Sequence, residues 1–107
     1  MSKPTTVREL LSSPGKWCKD EMAKNVDGDD VDEFHPEACQ WCLLGAIGVV
    51  YGPTWTPQYD EAKRKVLKVL RSRRLASRDC LAPTSTFNDA PTTDFPLLRS
   101  VIEEAGI

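Results

Sequence analysis

The chain has 107 residues, of which 40% are hydrophobic and 28% are charged, and its net charge is −2. This length predicts a single domain, residues 1–107, with a modest core. The near balance of charge gives no reason to expect general attraction to nucleic acids or anionic membranes. No apolar run approaches the roughly 18 residues that span a bilayer, and the polar start at residues 1–4 is not typical of a signal peptide. We therefore expect a cytoplasmic protein without membrane association, and its four cysteines should be reduced.

The N-terminal third predicts one short helix and one hairpin. Residues 6–12 should be helical, because Thr6 and Glu9 have the spacing of a capping box. Further along, Asp27-Gly28 is a strong tight-turn signal and predicts a short hairpin.

The central segment, residues 37–50, is apolar on nearly every side. This pattern predicts a helix in the centre of the fold rather than on its surface. Gly45 and Gly48 lower its helix propensity by about 1 kcal/mol each. Such a cost makes sense if another element approaches the helix backbone closely at these positions. Gly52 should end the helix.

Two amphipathic helices are expected in the second half. The helix over residues 57–72 should bury Tyr59, Ala62, Val66, Val69 and Leu70. A connector follows, in which Asn88 and Asp89 favour a local turn, and a last helix over residues 94–105 should be capped by Thr93. The predicted fold class is therefore mainly α, as a small α or α+β domain. About four helices surround the buried central helix, with one short β-hairpin.

Three groups of residues resemble a family of small uncharacterised proteins, a domain of unknown function that recurs in bacteriophage and bacterial genomes. They are Trp17 with Ala23 and Asp27-Gly28, then Ala38-x-x-Trp41-Cys42-Leu43-x-Gly45-Ala46, then Asn88-Asp89 before the final helix. The resemblance covers about residues 17–105. It implies a phage or prophage setting, and it implies no activity and no catalytic residue.

His35, Cys39 and Cys42 lie within eight residues of each other and offer three ligands to a metal ion. Structural zinc normally takes four ligands, so Cys18 or Cys80 would have to complete the shell. Cysteine is also among the residues most often buried as a small hydrophobe. We therefore expect core cysteines, with no metal and no cofactor.

The same residues could form a cysteine-dependent enzyme, with Cys39 or Cys42 as nucleophile, His35 as base, and Asn88 or Asp89 to orient the imidazole. A reactive thiolate is favoured at a helix N-terminus. Cys42 is instead predicted about two turns inside a buried helix, which argues against this alternative, so no catalytic residue is assigned.

Charge is strongly segregated along the chain. Residues 20–37 contain eight acidic side chains against one lysine, and residues 62–78 contain eight basic side chains and no acid. The predicted partner-binding residues are the acidic Asp27, Asp29, Asp30, Asp32 and Glu33, the basic Arg64, Lys68, Arg71 and Arg74, and the aromatic Trp55. The two segments could also satisfy each other, within one chain or between two copies as a homodimer. Trp55 lies in a proline-bounded loop. We expect its side chain to be either an exposed anchor for a partner or a lid packed over the central helix.

We expect a small non-catalytic phage accessory protein that binds and inhibits a host protein, with a component of an antiviral defence system as the suggested target. One alternative is a nucleic-acid-binding protein that uses the basic residues 62–78. The other is the cysteine-dependent enzyme. Phosphate-binding loops and the common zinc hydrolase motif are absent from the sequence, which gives no support to nucleotide hydrolysis or zinc hydrolysis.

Overall fold

The computed structural model describes residues 5–77 and 79–107. Over these ranges the chain forms five α-helices, one 3-10 helix and a three-stranded sheet. The elements in chain order are α1 Val7–Leu10, the 3-10 helix Pro14–Lys16, β1 Ala23–Lys24, β2 Asp30–Val31, β3 Gln40–Trp41, α2 Leu43–Tyr51, α3 Pro57–Ser72, α4 Pro83–Asp89 and α5 Phe95–Ala105. The predicted mainly α class with one short hairpin is confirmed. No helix of the described ranges is both long and apolar enough to cross a bilayer.

Helix α2 lies at the centre of the packing. It contacts α1, α3 and α4, while α3 also packs against α5. The buried stripe of α3 is the predicted one: Tyr59, Ala62, Val66, Val69 and Leu70. From the last helix the core receives Leu98, Val101 and Ile102. The core is therefore built from the apolar faces of the helices, and the sheet lies beside it.

The small sheet is antiparallel, with strand order β2-β1-β3. Ala23 is paired with both Val31 and Trp41. Between β1 and β2, Gly28 adopts a φ of +83°, a conformation that favours glycine because it has no Cβ. The hairpin predicted around Asp27-Gly28 is thus confirmed.

The central helix begins later than predicted. Residues 37–42 are not helical, and α2 starts at Leu43. The backbone N–H of Cys39 donates to the carbonyl of Lys24 at 2.9 Å, and that of Cys42 donates to Met22 at 3.1 Å. These long-range hydrogen bonds satisfy backbone groups that a helix would otherwise satisfy. The prediction of a helix over 37–42 is therefore wrong, although Gly52 does end α2.

The close approach expected at the glycines of α2 is found at Gly45. A Cβ atom there would overlap the backbone carbonyl of Met22. At Gly48 the nearest atoms belong to the side chains of Glu33 and Phe34, both at 3.8 Å, an ordinary van der Waals distance. Of the two glycines within α2, only Gly45 is therefore required by sterics.

Two further differences concern the second half of the chain. Residues 83–89, predicted as a connector, form α4, because Pro83 starts a helix whose Thr84, Phe87 and Asn88 are buried. The last helix is capped by Asp94, whose carboxylate accepts the N–H of Leu97 at 2.9 Å. The predicted cap, Thr93, is instead a buried residue.

The first helix is also shorter than predicted. Thr6 caps it by accepting the N–H of Glu9 at 3.1 Å. The carboxylate of Glu9 reaches the backbone N–H of Thr5 at 2.9 Å rather than that of Thr6. The predicted start of α1 is therefore present. The hydrogen bond that the Glu9 side chain returns to the backbone is made to Thr5, one residue before the cap.

Candidate partner-binding site

The acidic residues of the hairpin and the segment after it form one candidate surface. We define the acidic face as Asp27, Asp29, Asp30, Asp32 and Glu33, of which the four aspartates are exposed and Glu33 is half-buried. The side-chain oxygen of Asn25 accepts the N–H groups of Asp27 and Asp29 at 3.0 and 2.9 Å. The carboxylate of Asp32 accepts the N–H of Phe34 at 2.9 Å. The backbone beneath these carboxylates is thus held in place by local hydrogen bonds.

The carboxylates of the acidic face have no cationic partner in the described part of the chain. Across residues 5–77 and 79–107 the ion pairs are Arg64 with Glu61, Arg73 with Glu104, and Arg99 with Glu103. The acidic and basic segments therefore do not neutralise each other within these residues.

Glu21 lies beside the acidic face and interacts with Asp30. The pKa of Glu21 is raised, first because its side chain hydrogen-bonds to Asp30 and second because the two carboxylates repel each other. The hairpin thus presents excess negative charge, and a cation supplied from outside would lower its electrostatic energy.

A groove of about 670 Å³ opens beside the acidic face, between residues 33–38 and the C-terminal half of α2. Its lining consists of Thr5, Glu33, Phe34, His35, Pro36, Ala38, Trp41, Val49 and Val50. The indole N–H of Trp41 donates to the carbonyl of Glu33 at 3.1 Å and fixes one edge of the groove. Phe34 is 51% exposed. An apolar groove with a carboxylate edge suits a partner segment that carries both apolar and basic side chains.

Trp55 lies in the loop between α2 and α3 and is 80% exposed. The loop is held by Thr56, whose hydroxyl donates to the carbonyl of Pro53 at 2.8 Å and accepts the N–H of Tyr59. A lid over the central helix would be buried, so the lid interpretation is wrong. Trp55 is an exposed aromatic side chain on a hydrogen-bonded loop.

The basic residues form a second surface. We define the basic ridge as Arg64, Lys68 and Arg71 on the exposed face of α3, together with Arg74 just beyond its end; all four are exposed. Arg64 makes a 3.6 Å ion pair with Glu61, and both side chains remain largely in solvent. Arg73 is different, because its guanidinium contacts Glu104 at 2.6 Å and Ser100 at 2.8 Å. Arg73 therefore joins α3 to α5, whereas the side chains of the basic ridge remain exposed to solvent.

The proposed ligand set of His35, Cys39 and Cys42 is not brought together. His35 is exposed, and its Nδ1 accepts the N–H of Glu37 at 3.0 Å. Cys39 is exposed, whereas Cys42 is buried. Within the described ranges there is no group of three or more His, Cys, Asp or Glu side chains that could hold a metal ion.

The proposed catalytic trio is not assembled either. The side-chain oxygen of Asn88 accepts hydrogen bonds from Trp17 Nε1 at 2.7 Å and from the N–H of Leu43 at 2.9 Å, so it does not orient an imidazole. Cys42 lies at the N-terminus of α2, which corrects the prediction that it lies inside a helix. Burial nevertheless raises the pKa of the Cys42 thiol, although hydrogen bonds from Gly45 and Leu44 oppose this. The thiol is therefore neutral at physiological pH.

Two residues of these surfaces are absent from the sequence predictions. Phe34 contributes an exposed ring beside the acidic face, and Val26 is 87% exposed at the hairpin tip. The available signal was an apolar side chain inside a run of carboxylates. The place of Phe34 in the lining of the groove could not be derived from that signal.

The family of unknown function DUF6197 matches residues 5–106. The chain belongs to this family. No curated protein and no solved structure matches it. The matched range of the DUF6197 domain includes the acidic face, the groove and the basic ridge, so all three surfaces are parts of the family domain.

Proposed function

We propose that this DUF6197 protein is a non-catalytic binding protein that docks on a protein partner through the acidic face and the adjoining groove. One observation supports this most strongly: the five carboxylates of the acidic face have no cationic partner in the described residues, and one of them, Glu33, lines the groove together with the half-exposed ring of Phe34. Removing such carboxylates from water is favourable only when a partner supplies cations. An aromatic side chain seated in a partner supplies much of the binding energy at such an interface.

The partner chemistry that fits this surface is a basic and apolar protein segment. The biological role that we propose is that of a phage accessory protein that binds a host protein in the host cytoplasm. Covering a basic surface that the host protein uses for nucleic acid would inhibit it, and a component of an antiviral defence system is a target of this kind. Trp55 offers a second exposed aromatic contact on the same domain.

The test is affinity capture from host lysate, with and without nuclease treatment, with three forms of the full chain. They are the wild type, an acidic-face variant with Asp27→Asn, Asp29→Asn, Asp30→Asn and Asp32→Asn, and a matched basic-ridge variant with Arg64→Gln, Lys68→Gln, Arg71→Gln and Arg74→Gln. We expect a stoichiometric partner that the basic-ridge variant retains and the acidic-face variant loses. A partner that the acidic-face variant still captures, or one that nuclease removes, would contradict the proposal.

The basic ridge favours nucleic-acid binding as a second candidate function, because its four cations are exposed on one surface and can contact phosphates. Each phosphate contact contributes a slope of about −0.9 to the dependence of log affinity on log salt for duplex DNA. Fluorescence anisotropy with a labelled duplex at several salt concentrations tests this. Binding that falls with salt in the wild type and is absent in the basic-ridge variant would favour the second candidate.

A homodimer is the remaining form of partner, with the acidic face of one copy on the basic ridge of another. Sedimentation velocity at low and high salt distinguishes such a dimer from a monomer. A dimer that dissociates with salt and is lost in both four-residue variants would assign the acidic face to self-association.

A further inference from the structure

The outer edge of the small sheet is open at β2. In the strand order β2-β1-β3, β2 has a neighbour on one side only. Ala23 lies opposite Val31, and the N–H of Asn25 donates to the carbonyl of Asp29 at 3.0 Å. Bonded and non-bonded residue pairs alternate along an antiparallel ladder, so these two pairs are the bonded ones. The N–H and C=O of Asp30, which lies between them, are therefore directed away from β1.

Backbone groups on this edge are unpaired within the described residues. No hydrogen bond is made there by the N–H or the C=O of Asp30, or by the N–H of Asp32. Both residues are exposed. An exposed edge of this kind can receive a strand from another molecule, whose backbone supplies the missing hydrogen bonds.

The two faces of β2 differ in chemistry. Residues paired across a sheet share a face, so Val31 lies on the same face as Ala23 and Trp41. Trp41 also lines the groove. Asp30 lies on the opposite face, and Asp32 follows it at the spacing of side chains that share one face of an extended chain. A strand added to this edge would therefore meet carboxylates on one face and apolar side chains on the other.

We propose that an extended partner segment, in which basic and apolar residues alternate, adds to β2 as an antiparallel strand. This inference rests on the proposed function and names how the partner engages the acidic face. Both existing pairings of the sheet are antiparallel. On β1, Lys24 is the residue opposite Asp30, and a basic residue of the added strand would face the same carboxylate from the open side.

Charge selects this occupant over a second copy of the chain. Opposite charges that face each other across two strands stabilise the pairing, and like charges destabilise it. Two copies of β2 side by side would bring carboxylates opposite carboxylates. The apolar residues of a basic partner strand would instead lie beside Val31, on the face that carries Trp41 and the groove.

The test uses the full chain and the acetylated, amidated peptide Val-Lys-Val-Lys-Val at millimolar concentration, followed by NMR. In the proposed pairing the lysine N–H groups face β2 and the valine N–H groups face away. N-methylation of both lysines should therefore weaken binding about tenfold or more. N-methylation of two valines is the matched control, with the same charge and the same number of added methyl groups. At saturation, hydrogen exchange at the Asp30 amide should slow about tenfold.

Two protein variants test the position of the added strand. Asp30→Asn with Asp32→Asn removes two carboxylates along the edge, and Asp27→Asn with Asp29→Asn removes two in the hairpin turn and beside it. We expect the first variant to bind the unmodified peptide about threefold or more weakly than the second, because its carboxylates face the peptide lysines directly.

Several outcomes would overturn strand addition: no binding of the unmodified peptide, equal affinities of the two N-methylated peptides, or an Asp30 amide whose exchange is unchanged at saturation. Equal weakening by the two protein variants would overturn it as well. Such a failure is distinguishable from failure of the proposed function, because capture of the lysate partner would still be lost in the acidic-face variant. A lysate partner that the acidic-face variant retains would contradict both.

Discussion

Asn88 and Leu43 lie 45 positions apart, and the side-chain oxygen of Asn88 accepts the backbone N–H of Leu43 at 2.9 Å. That N–H belongs to the first turn of α2, where no helical carbonyl is available to it. The same oxygen accepts Trp17 Nε1 at 2.7 Å, and the amide of Asn88 donates to the carbonyl of Cys18 at 3.1 Å. One buried side chain therefore joins α4, the start of α2 and the segment at residues 17–18.

Replacing this side chain should be strongly destabilising. Asn88→Ala leaves two donors and one acceptor without partners in a site that is 1% exposed. Each such group costs about 1–3 kcal/mol when buried, so we expect a loss of about 3 kcal/mol or more in the free energy of unfolding. Urea denaturation measures it. Asn25→Ala, which removes hydrogen bonds at the exposed hairpin, is the matched control. If Asn88→Ala lowers the free energy of unfolding no more than Asn25→Ala does, the role of Asn88 in joining three elements is contradicted.

The two glycines of α2 should respond oppositely to alanine. Gly45→Ala places a Cβ on the backbone carbonyl of Met22, which cannot move without disturbing its bond to Cys42. We expect a loss of about 2 kcal/mol or more in the free energy of unfolding. Gly48→Ala meets only side-chain atoms at 3.8 Å and gains helix propensity, so a stabilisation of up to about 1 kcal/mol is expected. If the two substitutions change the free energy of unfolding equally in urea denaturation, the Met22 carbonyl can shift to make room for the added Cβ.

Neutralising Glu21 should stabilise the protein at neutral pH. Its pKa is raised by the hydrogen bond to Asp30 and by their repulsion. The folded state therefore binds the proton more tightly than the unfolded state, so the favourable contribution of Glu21 is present at low pH and is lost as pH rises through the raised pKa. Glu21→Gln should raise Tm at pH 7, and the difference from wild type should shrink toward pH 4.

A thermodynamic cycle isolates this pair. Asp30→Asn removes the same repulsion from the other side, so its effect and that of Glu21→Gln should not add in the double variant. If the changes in Tm caused by Glu21→Gln and Asp30→Asn add in the double variant, the assignment to this carboxyl pair is refuted. A difference in Tm between Glu21→Gln and wild type that does not depend on pH would refute it as well.

The four cysteines should divide into two reactivity classes. Cys18 and Cys42 are buried and have raised pKa values, whereas Cys39 is exposed and Cys80 is half-exposed. Because the thiolate is the reactive species, a disulfide reagent at pH 8 should label two thiols rapidly and two slowly, and all four rapidly in urea. Cys39→Ser with Cys80→Ser should remove the rapid phase. Rapid labelling of Cys42 in that variant would favour the cysteine-dependent enzyme.

Trp55 should matter for binding and not for folding. Its side chain is 80% exposed, so Trp55→Ala should change the free energy of unfolding by no more than about 0.5 kcal/mol. If it anchors a partner, loss of capture should be at least tenfold, as is typical of an aromatic hot spot. Phe34→Ala, beside the acidic face, provides the comparison. Partner capture that is unaffected by Trp55→Ala would confine the interface to the acidic face and groove.

Elements whose signals are local could be predicted closely. The bounds and buried stripe of α3 are as predicted, because its cap at Thr56 and its apolar spacing lie within the helix itself. The turn at Gly28 and the end of α2 at Gly52 likewise depend on the conformation of single residues. The start of α2 did not follow from local signals, because apolar composition cannot distinguish a buried helix from a buried extended segment.

The sequence by itself determined the mainly α class, the amphipathic helices, the hairpin and the separation of charge into two segments, because each depends on residues within a few positions of each other. Only the tertiary structure decided that Cys42 caps α2 beside Met22, that Asn88 joins three elements, and that Trp55 is exposed. It also decided that the acidic face has no cationic partner within the described residues. These outcomes depend on hydrogen bonds and packing between segments that are tens of residues apart, and such pairings are selected by the fold as a whole.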